Sequence, residues 1–370
     1  MFRKTILILV VLALAALTVV ALTGCPNNQP PATPAAPTNA TSAVSAPAAT
    51  MTLTAAGATF PYPIYSKWFD MYEQAHGVKI NYQSIGSGGG IQQLTAKTID
   101  FGASDAPLSD DETKKMPGAV VHIPTVAGAD VVTYNVPGVT TGLKLTGDAI
   151  AGIFLGTIKK WNDPAIKKAN PDVKLPDTAI SVAHRSDGSG TTYIFTHYLA
   201  AVSSEWKSQV GAGKSVNWPV GIGGKGNEGV AGVVKQTPGS VGYIELAYAV
   251  QNKLPYADVK NSTGEFITPT TDSTTAAANG GVEAMKKDIR TVIVNSPEKG
   301  AYPIAGFTYV LLYQDQADAA KGKAIVDFLN WAMTEGQKEC AALYYAPLPA
   351  GVVALNQAAL KTITFAGKPQ

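Results

Sequence analysis

Seven consecutive residues, Arg185 to Thr191, carry the side chains of this chain that are best suited to chemistry, and they read Arg-Ser-Asp-Gly-Ser-Gly-Thr. An apolar, aromatic stretch follows at residues 193–199, so the run predicts a loop that becomes the first turn of a helix. Backbone N–H groups at a helix start have no partner within the helix, and Gly188 and Gly190 carry no side chain that would keep an anion away. A site for an anion is one interpretation, and an ordinary Ser/Gly turn before a capped helix is the other.

Three side chains in the run favour the anion. Ser189 and Thr191 offer hydroxyl donors, and Arg185 offers a permanent positive charge whose planar fork of donors matches a tetrahedral oxyanion. Asp187 would repel an anion if it faced one. We therefore predict that Asp187 pairs with Arg185, two residues away, and holds the guanidinium in one orientation.

Two further turns rich in small residues lie in the first third of the chain. Residues 57–60, Gly-Ala-Thr-Phe, and residues 86–90, Gly-Ser-Gly-Gly-Gly, each follow a predicted strand and lead into a predicted helix. Asp105 follows a short buried strand at residues 99–103. Because ligands of open α/β sheets bind at the carboxyl ends of the strands, these segments predict one ligand site.

The order of the predicted elements indicates two lobes. Apolar stretches at residues 120–123 and 131–134 predict two strands around Pro124 and Gly128, which we interpret as a first crossing between lobes. A second crossing is predicted at the strongly apolar residues 302–313. Two α/β lobes joined by two crossings describe a hinged cleft.

The remaining stretches are less regular. Residues 262–279 are rich in Thr and Ala and poorly periodic, and a helix is predicted after them at residues 282–290. Beyond the second crossing, helices are predicted at residues 319–331 and 337–343.

The size and charge of the chain exclude some classes of function. A chain of 370 residues, with 46% hydrophobic and 15% charged residues, is long enough for two domains and typical of a globular protein. Without Arg3 and Lys4, 27 of the 29 basic residues remain against 27 acidic residues, so the rest of the chain is formally neutral. We therefore expect no nucleic-acid partner.

The N-terminal residues predict export and a lipid anchor. Two basic residues precede an uncharged apolar run from Ile6 to Leu22, which is typical of a signal peptide and assigns residues 1–24 to it. Residues 22–25, Leu-Thr-Gly-Cys, resemble the bacterial lipobox, in which the cysteine is lipidated and becomes the mature N-terminus. A transmembrane anchor is the alternative, because the run is near the lower length limit for a span.

Residues 25–50 consist almost entirely of Pro, Ala, Thr, Ser and Asn without a charge, and they predict an extended tether behind the lipidated Cys25. Lipidation of Cys25 would leave Cys340 without a disulfide partner, so we predict that Cys340 is buried as a small hydrophobic residue. The expected arrangement is a monomeric globular protein tethered to the extracytoplasmic face of a bacterial membrane.

Other motifs carry weaker signals. Residues 221–226 match the dinucleotide pattern G-x-G-x-x-G, and residues 211–215 resemble the end of a P-loop whose leading glycine position is Ser208. Ser204 and Lys207 fit S-x-x-K of penicillin-binding enzymes, but the chain has no S-D-N or K-T-G partner. We expect neither a cofactor nor an enzyme from these motifs.

Metal and nucleophile chemistry are not indicated either. The four histidines lack metal-ligand spacing: His76, His122, His184 and His197. Ser189 has no adjacent base, and no carboxylate cluster is evident in the sequence. A set of donors without a reaction is typical of a binding protein, with no catalytic residue and no metal.

Five segments in order closely resemble the periplasmic phosphate-binding proteins of high-affinity phosphate ABC importers. These segments are Ala56 to Pro61, Ile85 to Gly90, Asp100 to Ser109, Arg185 to Thr191 and Gly223 to Asn227. The resemblance implies a type II periplasmic binding-protein fold, with lobe I at residues 51–125 plus 300–370 and lobe II at residues 126–299.

The resemblance also implies the ligands of a dehydrated phosphate held from both lobes. Carried over residue by residue, they are Thr59, Phe60, Ser87, Asp105, Arg185, Ser189, Gly190 and Thr191. Asp187 would orient Arg185. The implied function is capture of inorganic phosphate and delivery to the permease subunits of the importer, and the alternatives are an exported phosphate-ester hydrolase or a general, sulfate-type oxyanion receptor.

Overall fold

The computed structural model of this protein describes residues 51–369. The predictions for the signal peptide, Cys25 and the tether therefore lie outside the described residues. Within residues 51–369, no helix is both long enough and apolar enough to cross a membrane.

Fourteen strands occur in the described chain. They are β1 (Met51–Gly57), β2 (Val78–Ser84), β3 (Phe101–Ser104), β4 (Val120–Asn135), β5 (Lys144–Leu145), β6 (Ser181–Arg185), β7 (Ile222–Gly224), β8 (Ser240–Glu245), β9 (Asp258–Lys260), β10 (Phe266–Ile267), β11 (Ala305–Tyr313), β12 (Asp315–Gln316), β13 (Thr364–Phe365) and β14 (Lys368–Pro369). Eight of them form a sheet in the order β2-β1-β3-β11-β4-β8-β6-β7, and two three-stranded sheets have the orders β10-β9-β5 and β12-β13-β14.

The helices flank these sheets. They are α1 (Tyr62–His76), α2 (Ser87–Thr95), α3 (Asp110–Lys115), α4 (Gly147–Leu155), α5 (Pro164–Lys167), α6 (Gly190–Val202), α7 (Ser204–Gln209), α8 (Gly226–Gln236), α9 (Leu246–Gln251), α10 (Thr271–Met285), α11 (Ala319–Ala332) and α12 (Ala350–Leu360), with short 3-10 helices at Gly336–Glu339 and Ala341–Leu343. The molecule is an α/β fold in which the helices pack around one eight-stranded sheet and two small ones, and its α/β class is as the sequence predicted.

The two central strands of the eight-stranded sheet connect its halves. β4 is one continuous strand of 16 residues, so the prediction of two strands around Pro124 and Gly128 was wrong. The whole of β11 pairs antiparallel with residues 120–129 of β4, with a register shift between Thr308 and Tyr309. Pro124 lies opposite Tyr309 at this shift, where a residue without an N–H group is tolerated, and the strand continues past it.

Parallel pairs bring several strand ends to one edge. β1 pairs parallel with β2 and β3 in one half of the sheet. In the other half, β6 pairs parallel with β7 and β8. The turns that follow these strands carry the predicted ligand residues, as expected for the carboxyl edge of an open α/β sheet.

Helix α1 follows one of these turns, and its packing fixes the position of that turn. It accepts Pro63 in its first turn, where the missing N–H has no cost, and it ends at Gly77 with a left-handed φ of 68°. Trp68 on its buried face donates from Nε1 to the carbonyl of Gly336 at 2.7 Å. A helix anchored in this way holds the turn before it, which contains Thr59, in a defined position.

Helix α10 corrects the sequence prediction between the crossings. It runs over Thr271–Met285, across much of the stretch that was predicted to be irregular, and it ends before most of the helix predicted at residues 282–290. Thr270 and Ser273 form a capping box at its start. A Cβ at Gly281 would lie 2.3 Å from Ile293, so close packing rather than a clear apolar period stabilises this helix.

The C-terminal part contains one confirmed helix prediction, one wrong prediction and one helix that was not predicted. The helix predicted at residues 319–331 is α11, whereas residues 337–343 form two 3-10 turns and α12 was not predicted. Cys340 is fully buried, as predicted, and has no disulfide partner within residues 51–369; burial raises the pKa of its thiol to about 12.

Candidate functional site

The structure brings all of the predicted ligand residues to one buried place at the carboxyl edge of the sheet. Seven of these residues expose 3% of their surface or less: Thr59, Phe60, Ser87, Asp105, Arg185, Ser189 and Thr191. Gly190 is buried with them as the first residue of α6. These residues come from four separate chain segments, so only the tertiary fold assembles them.

The start of α6 lies directly against the turns of the first half of the sheet. Ser189 caps the helix because its Oγ accepts a hydrogen bond from the N–H of Thr192 at 2.9 Å. A Cβ at Gly190 would lie 2.4 Å from Asp105 Oδ2 and 2.6 Å from Ser87 Oγ. Position 190 therefore needs a glycine if the two sides of the site are to approach so closely.

Arg185 and Asp187 form a bidentate pair inside the site. Arg185 donates from Nε to Asp187 Oδ1 at 2.8 Å and from Nη2 to Oδ2 at 2.6 Å. The N–H of Gly226 also donates to Asp187 Oδ1, at 3.0 Å. Burial would raise the pKa of Asp187, but its hydrogen bonds and the charge of Arg185 outweigh burial and lower that pKa. Asp187 is therefore an anion that fixes Arg185.

Asp105 is a buried carboxyl held by a residue that the sequence did not reveal. Thr308, from β11, donates its hydroxyl to Asp105 Oδ1 at 2.8 Å. Burial raises the pKa of Asp105 to about 7, although the Thr308 hydrogen bond and the charge of Arg185 act against this rise. No local signal could have found Thr308, because 203 positions separate the two residues.

Ser87 links the two sides of the site. Its Oγ accepts hydrogen bonds from the N–H of Asp105 at 3.2 Å and from the N–H of Gly190 at 3.0 Å. A hydroxyl has two acceptor lone pairs and one hydrogen, so the hydrogen of Ser87 is left to donate. The N–H of Gly190, which the resemblance implied as a direct ligand donor, is directed to Ser87 in this arrangement.

The turn before α1 presents backbone donors. Within the described part of the chain, the N–H groups of Thr59 and Phe60 have no hydrogen-bond acceptor. Their carbonyls are held by tyrosine hydroxyls, with Tyr248 donating to Thr59 and Tyr345 donating to Phe60, both at 2.6 Å. The turn is thus fixed through its acceptors while its donors stay available.

Asn227 is a further site residue that sequence reasoning did not select. It is the second residue of α8, is fully buried and lies between Thr59 and Thr191. The one sequence signal for Asn227 is that it ends the segment Gly223 to Asn227, which contributes to the family resemblance but suggests no role for this residue.

The two sides of the cleft touch directly, so this is a closed arrangement. The N–H of Gly88 donates to the carbonyl of Gly188 across the cleft at 2.8 Å. At the rim, Lys214 Nζ lies 2.6 Å from Glu112 Oε2, and Arg290 Nη1 lies 2.9 Å from Asp110 Oδ1.

The weaker motifs have structural roles. Residues 221–226 contain the edge strand β7 and lead into α8, and a Cβ at Gly224 would lie 2.6 Å from the backbone of Gly229, so the glycine permits strand–helix contact. His184 stacks on Trp218 with ring centroids 4.9 Å apart and is not among the buried polar residues of the site. Among residues 51–369, no group of three His, Cys, Asp or Glu side chains could hold a metal ion.

Comparison with known proteins places this geometry in context. The model of a PBP superfamily domain matches residues 34–335. The phosphate-binding protein PstS of Xylella fastidiosa (strain Temecula1) is 47% identical over 342 residues, which cover 91% of this chain and 93% of that protein. The phosphate-binding protein PstS of Pasteurella multocida (strain Pm70) is 48% identical over 312 residues, covering 84% and 90% of the two chains.

A solved structure shares the fold. A high-affinity periplasmic phosphate-binding protein with bound phosphate superimposes with a TM-score of 0.67 at 21% identity, over 83% of this chain and 93% of that chain. At this identity the likeness concerns the two-lobed architecture alone.

Proposed function

The chain belongs to the PstS family of phosphate-binding proteins, and from this premise we propose that it binds inorganic phosphate outside the cytoplasmic membrane and delivers it to the permease of an ABC importer. The proposed phosphate ligands are Thr59, Phe60, Ser87, Asp105, Arg185, Ser189, Gly190 and Thr191, with Asp187 orienting Arg185. Relatives that match over most of their length support the function, and the closed, buried geometry supports the residues.

One observation carries the proposal: a buried carboxyl lies among a set of buried donors. The guanidinium of Arg185, the hydroxyl of Ser87 and the free N–H groups at Thr59 and Phe60 suit an anion with several acceptor oxygens. Asp105, when ionised, can only accept. A ligand that fits the donors and the Asp105 carboxylate needs several acceptor oxygens and one hydrogen to donate. Near neutral pH phosphate keeps at least one proton, whereas sulfate keeps none.

The first test is competition between these two anions. We expect sulfate in large excess not to displace labelled phosphate at pH 8, where Asp105 with its pKa of about 7 is largely ionised, because a sulfate oxygen would face the Asp105 carboxylate without a hydrogen between them. Leaving that buried contact unsatisfied costs about 1 to 3 kcal/mol for the hydrogen bond alone, and charge repulsion adds to it. Asp105→Asn, whose amide can donate, should narrow the gap between phosphate and sulfate.

A matched control is Asp110→Asn, which makes the same change at an exposed carboxyl of the cleft rim. Its phosphate-to-sulfate ratio should stay that of the unmodified protein. Competition by sulfate at concentrations similar to phosphate would remove Asp105 from selection and favour a general oxyanion receptor.

We also propose that the protein binds phosphate without reacting with it. The hydroxyl of Ser189 caps α6 by accepting from the N–H of Thr192, and the carboxylate of Asp187 is bound by Arg185. Neither arrangement supplies a base for a nucleophile. Release of product from a phosphate monoester by the purified protein, lost in Ser189→Ala, would instead support the hydrolase.

The proposed location rests on the residues before the described domain. We propose that Cys25 is lipidated after removal of residues 1–24 and that residues 25–50 tether the protein to the membrane. Several acyl chains anchor a protein firmly whereas one binds only marginally. Cys25→Ala should leave the membrane fraction or remain unprocessed, and correct cleavage with unchanged membrane association would contradict the lipid anchor.

A further inference from the structure

We propose that Asn227 is a positioning residue that turns the hydroxyl hydrogens of Thr59 and Thr191 toward the bound anion and couples the two sides of the cleft. This inference rests on the proposed phosphate function and names a residue outside the implied ligand set. Its basis is the hydrogen-bond count around one buried side-chain amide.

The orientation of that amide is determined by the backbone. Asn227 Oδ1 accepts from the N–H of Glu245 at 2.9 Å. A backbone N–H can only donate, so the amide atom facing Glu245 must be the oxygen. The other atom, Nδ2, is consequently the nitrogen, and its two hydrogens face the cleft.

Those two hydrogens reach hydroxyls that belong to different elements. Nδ2 donates to Thr59 Oγ1 at 2.8 Å and to Thr191 Oγ1 at 3.2 Å. Thr59 precedes α1, and Thr191 lies in the first turn of α6. Asn227 thus connects the turn of one half of the sheet with the helix start of the other.

The acceptor capacity of both hydroxyls is filled by N–H groups. Thr59 Oγ1 accepts a second hydrogen bond from the backbone N–H of Asn227 at 3.2 Å. Thr191 Oγ1 accepts its second hydrogen bond from Arg185 Nη1 at 3.1 Å. Because a hydroxyl oxygen has two acceptor lone pairs, both groups can only donate to a further partner.

The consequence is a site whose hydroxyls are prevented from accepting. A free hydroxyl can rotate to offer a lone pair, but these two are held as donors before the ligand arrives. Pre-oriented donors lose little freedom when an anion binds, which increases affinity, and at these two positions they accept only an oxygen that carries no hydrogen. Asn227 therefore acts on phosphate through Thr59 and Thr191 without contacting it.

The test replaces the donor with an acceptor of the same shape. In Asn227→Asp the carboxylate accepts from both threonine hydroxyls and turns their hydrogens away from the anion, and its charge repels phosphate. We expect phosphate affinity, measured by isothermal titration calorimetry at pH 8, to fall at least about 100-fold. Asn227→Ala, which removes the donor without adding charge, should lose about 10-fold or more.

Two comparisons separate positioning from a structural role. Asn135→Asp is the matched control, because Asn135 donates from Nδ2 to Val234 and Lys235 at the opposite end of α8. It should leave phosphate affinity within about twofold. A double-mutant cycle of Asn227→Ala with Thr59→Val should show coupling, because loss of the Thr59 hydroxyl removes one of the two hydroxyls on which Asn227 acts.

The outcomes are distinguishable from failure of the phosphate function itself. If the unmodified protein does not bind phosphate, the proposed function is wrong. If it binds, and folded Asn227→Asp or Asn227→Ala binds equally well, the positioning role is overturned. Additive losses in the cycle with Thr59→Val would also overturn it, since Asn227 would then act by another route.

Discussion

Three hydroxyl groups of this site can only donate to a ligand, because neighbouring N–H groups already use their acceptor lone pairs. Ser87 Oγ receives two N–H donors, and the same is true of Thr59 Oγ1 and Thr191 Oγ1. Each hydroxyl consequently keeps one hydrogen for a ligand and no free lone pair. Whether each hydroxyl donates or accepts toward a ligand therefore depends on its hydrogen-bond partners within the protein as much as on the residue type.

The pH dependence of stability gives a prediction at the residue scale. The pKa of Asp105 rises from 3.8 to about 7 on folding, chiefly through burial, so between these values the folded protein holds a proton that the unfolded chain has lost. The stabilising effect of that proton is complete below pH 3.8 and is lost as the pH rises to about 7. Relative to Asp105→Asn, the unmodified protein should lose up to about 1.4 kcal/mol of unfolding free energy per pH unit in this window.

Urea unfolding of phosphate-free protein across this pH range measures the difference. The comparison with Asp105→Asn is needed because burial also raises the pKa of Asp130 and Glu245, which contribute in the same direction in both proteins. A difference between the two proteins that does not change with pH would contradict the assignment to Asp105.

At the scale of elements, the short helix α3 contacts the opposite rim of the cleft. Its acidic residues Asp110 and Glu112 pair with Arg290 and Lys214. The Glu112–Lys214 pair is the more shielded, with side-chain exposures of 25% and 18%, against 81% for Asp110. Both pairs join residues on opposite rims of the closed cleft, so we infer that α3 stabilises this closed arrangement.

Neutralising Glu112 tests this inference. Glu112→Gln should weaken phosphate binding by about two- to fivefold, since a partly exposed ion pair contributes roughly 1 kcal/mol or less. The effect should be larger at low ionic strength, where charges are screened less. Calorimetric titrations at low and high salt measure both quantities.

Asp111→Asn is the control on the same helix, because Asp111 pairs only with the exposed Lys114 among the ion pairs of residues 51–369. It should bind phosphate as the unmodified protein does. An equal loss in both variants would mean that the general charge of α3, and not a contact across the cleft, is responsible.

At the scale of the whole molecule, β4 and β11 connect two halves that each contribute to the site. Thr59, Ser87 and Asp105 follow strands of one half, whereas Arg185 ends β6 of the other half and Thr191 lies beyond it. The donors converge only when the halves are together, so a ligand that needs both shifts the population toward the closed form.

Small-angle scattering provides the corresponding prediction. The radius of gyration should decrease when phosphate is added to the phosphate-free protein, because the two lobes close on the ligand. Arg185→Ala, which lacks the central charge, should show no decrease at the same phosphate concentration. An unchanged profile of the unmodified protein with phosphate demonstrably bound would contradict hinge closure.

What the sequence determined by itself was local. The Arg185–Asp187 pair lies within two residues, and the turn chemistry of Ser189 and Gly190 follows from residue types that suit a helix start. The two-lobed fold class and a helix with a clear period, such as α11, could also be predicted, because apolar periodicity is a property of a single segment.

What only the tertiary structure decided depends on residues far apart in the chain. Thr308 reaches Asp105 across 203 positions, and Asn227 reaches Thr59 across 168. Helix α10 was missed because its small residues pack closely without an apolar stripe, and β4 was divided because Pro124 reads as a break until β11 is seen beside it. N–H groups from distant chain segments fill the acceptor lone pairs of hydroxyls in the site and leave them as donors. No local sequence pattern connects these segments, so only the tertiary structure could reveal this arrangement.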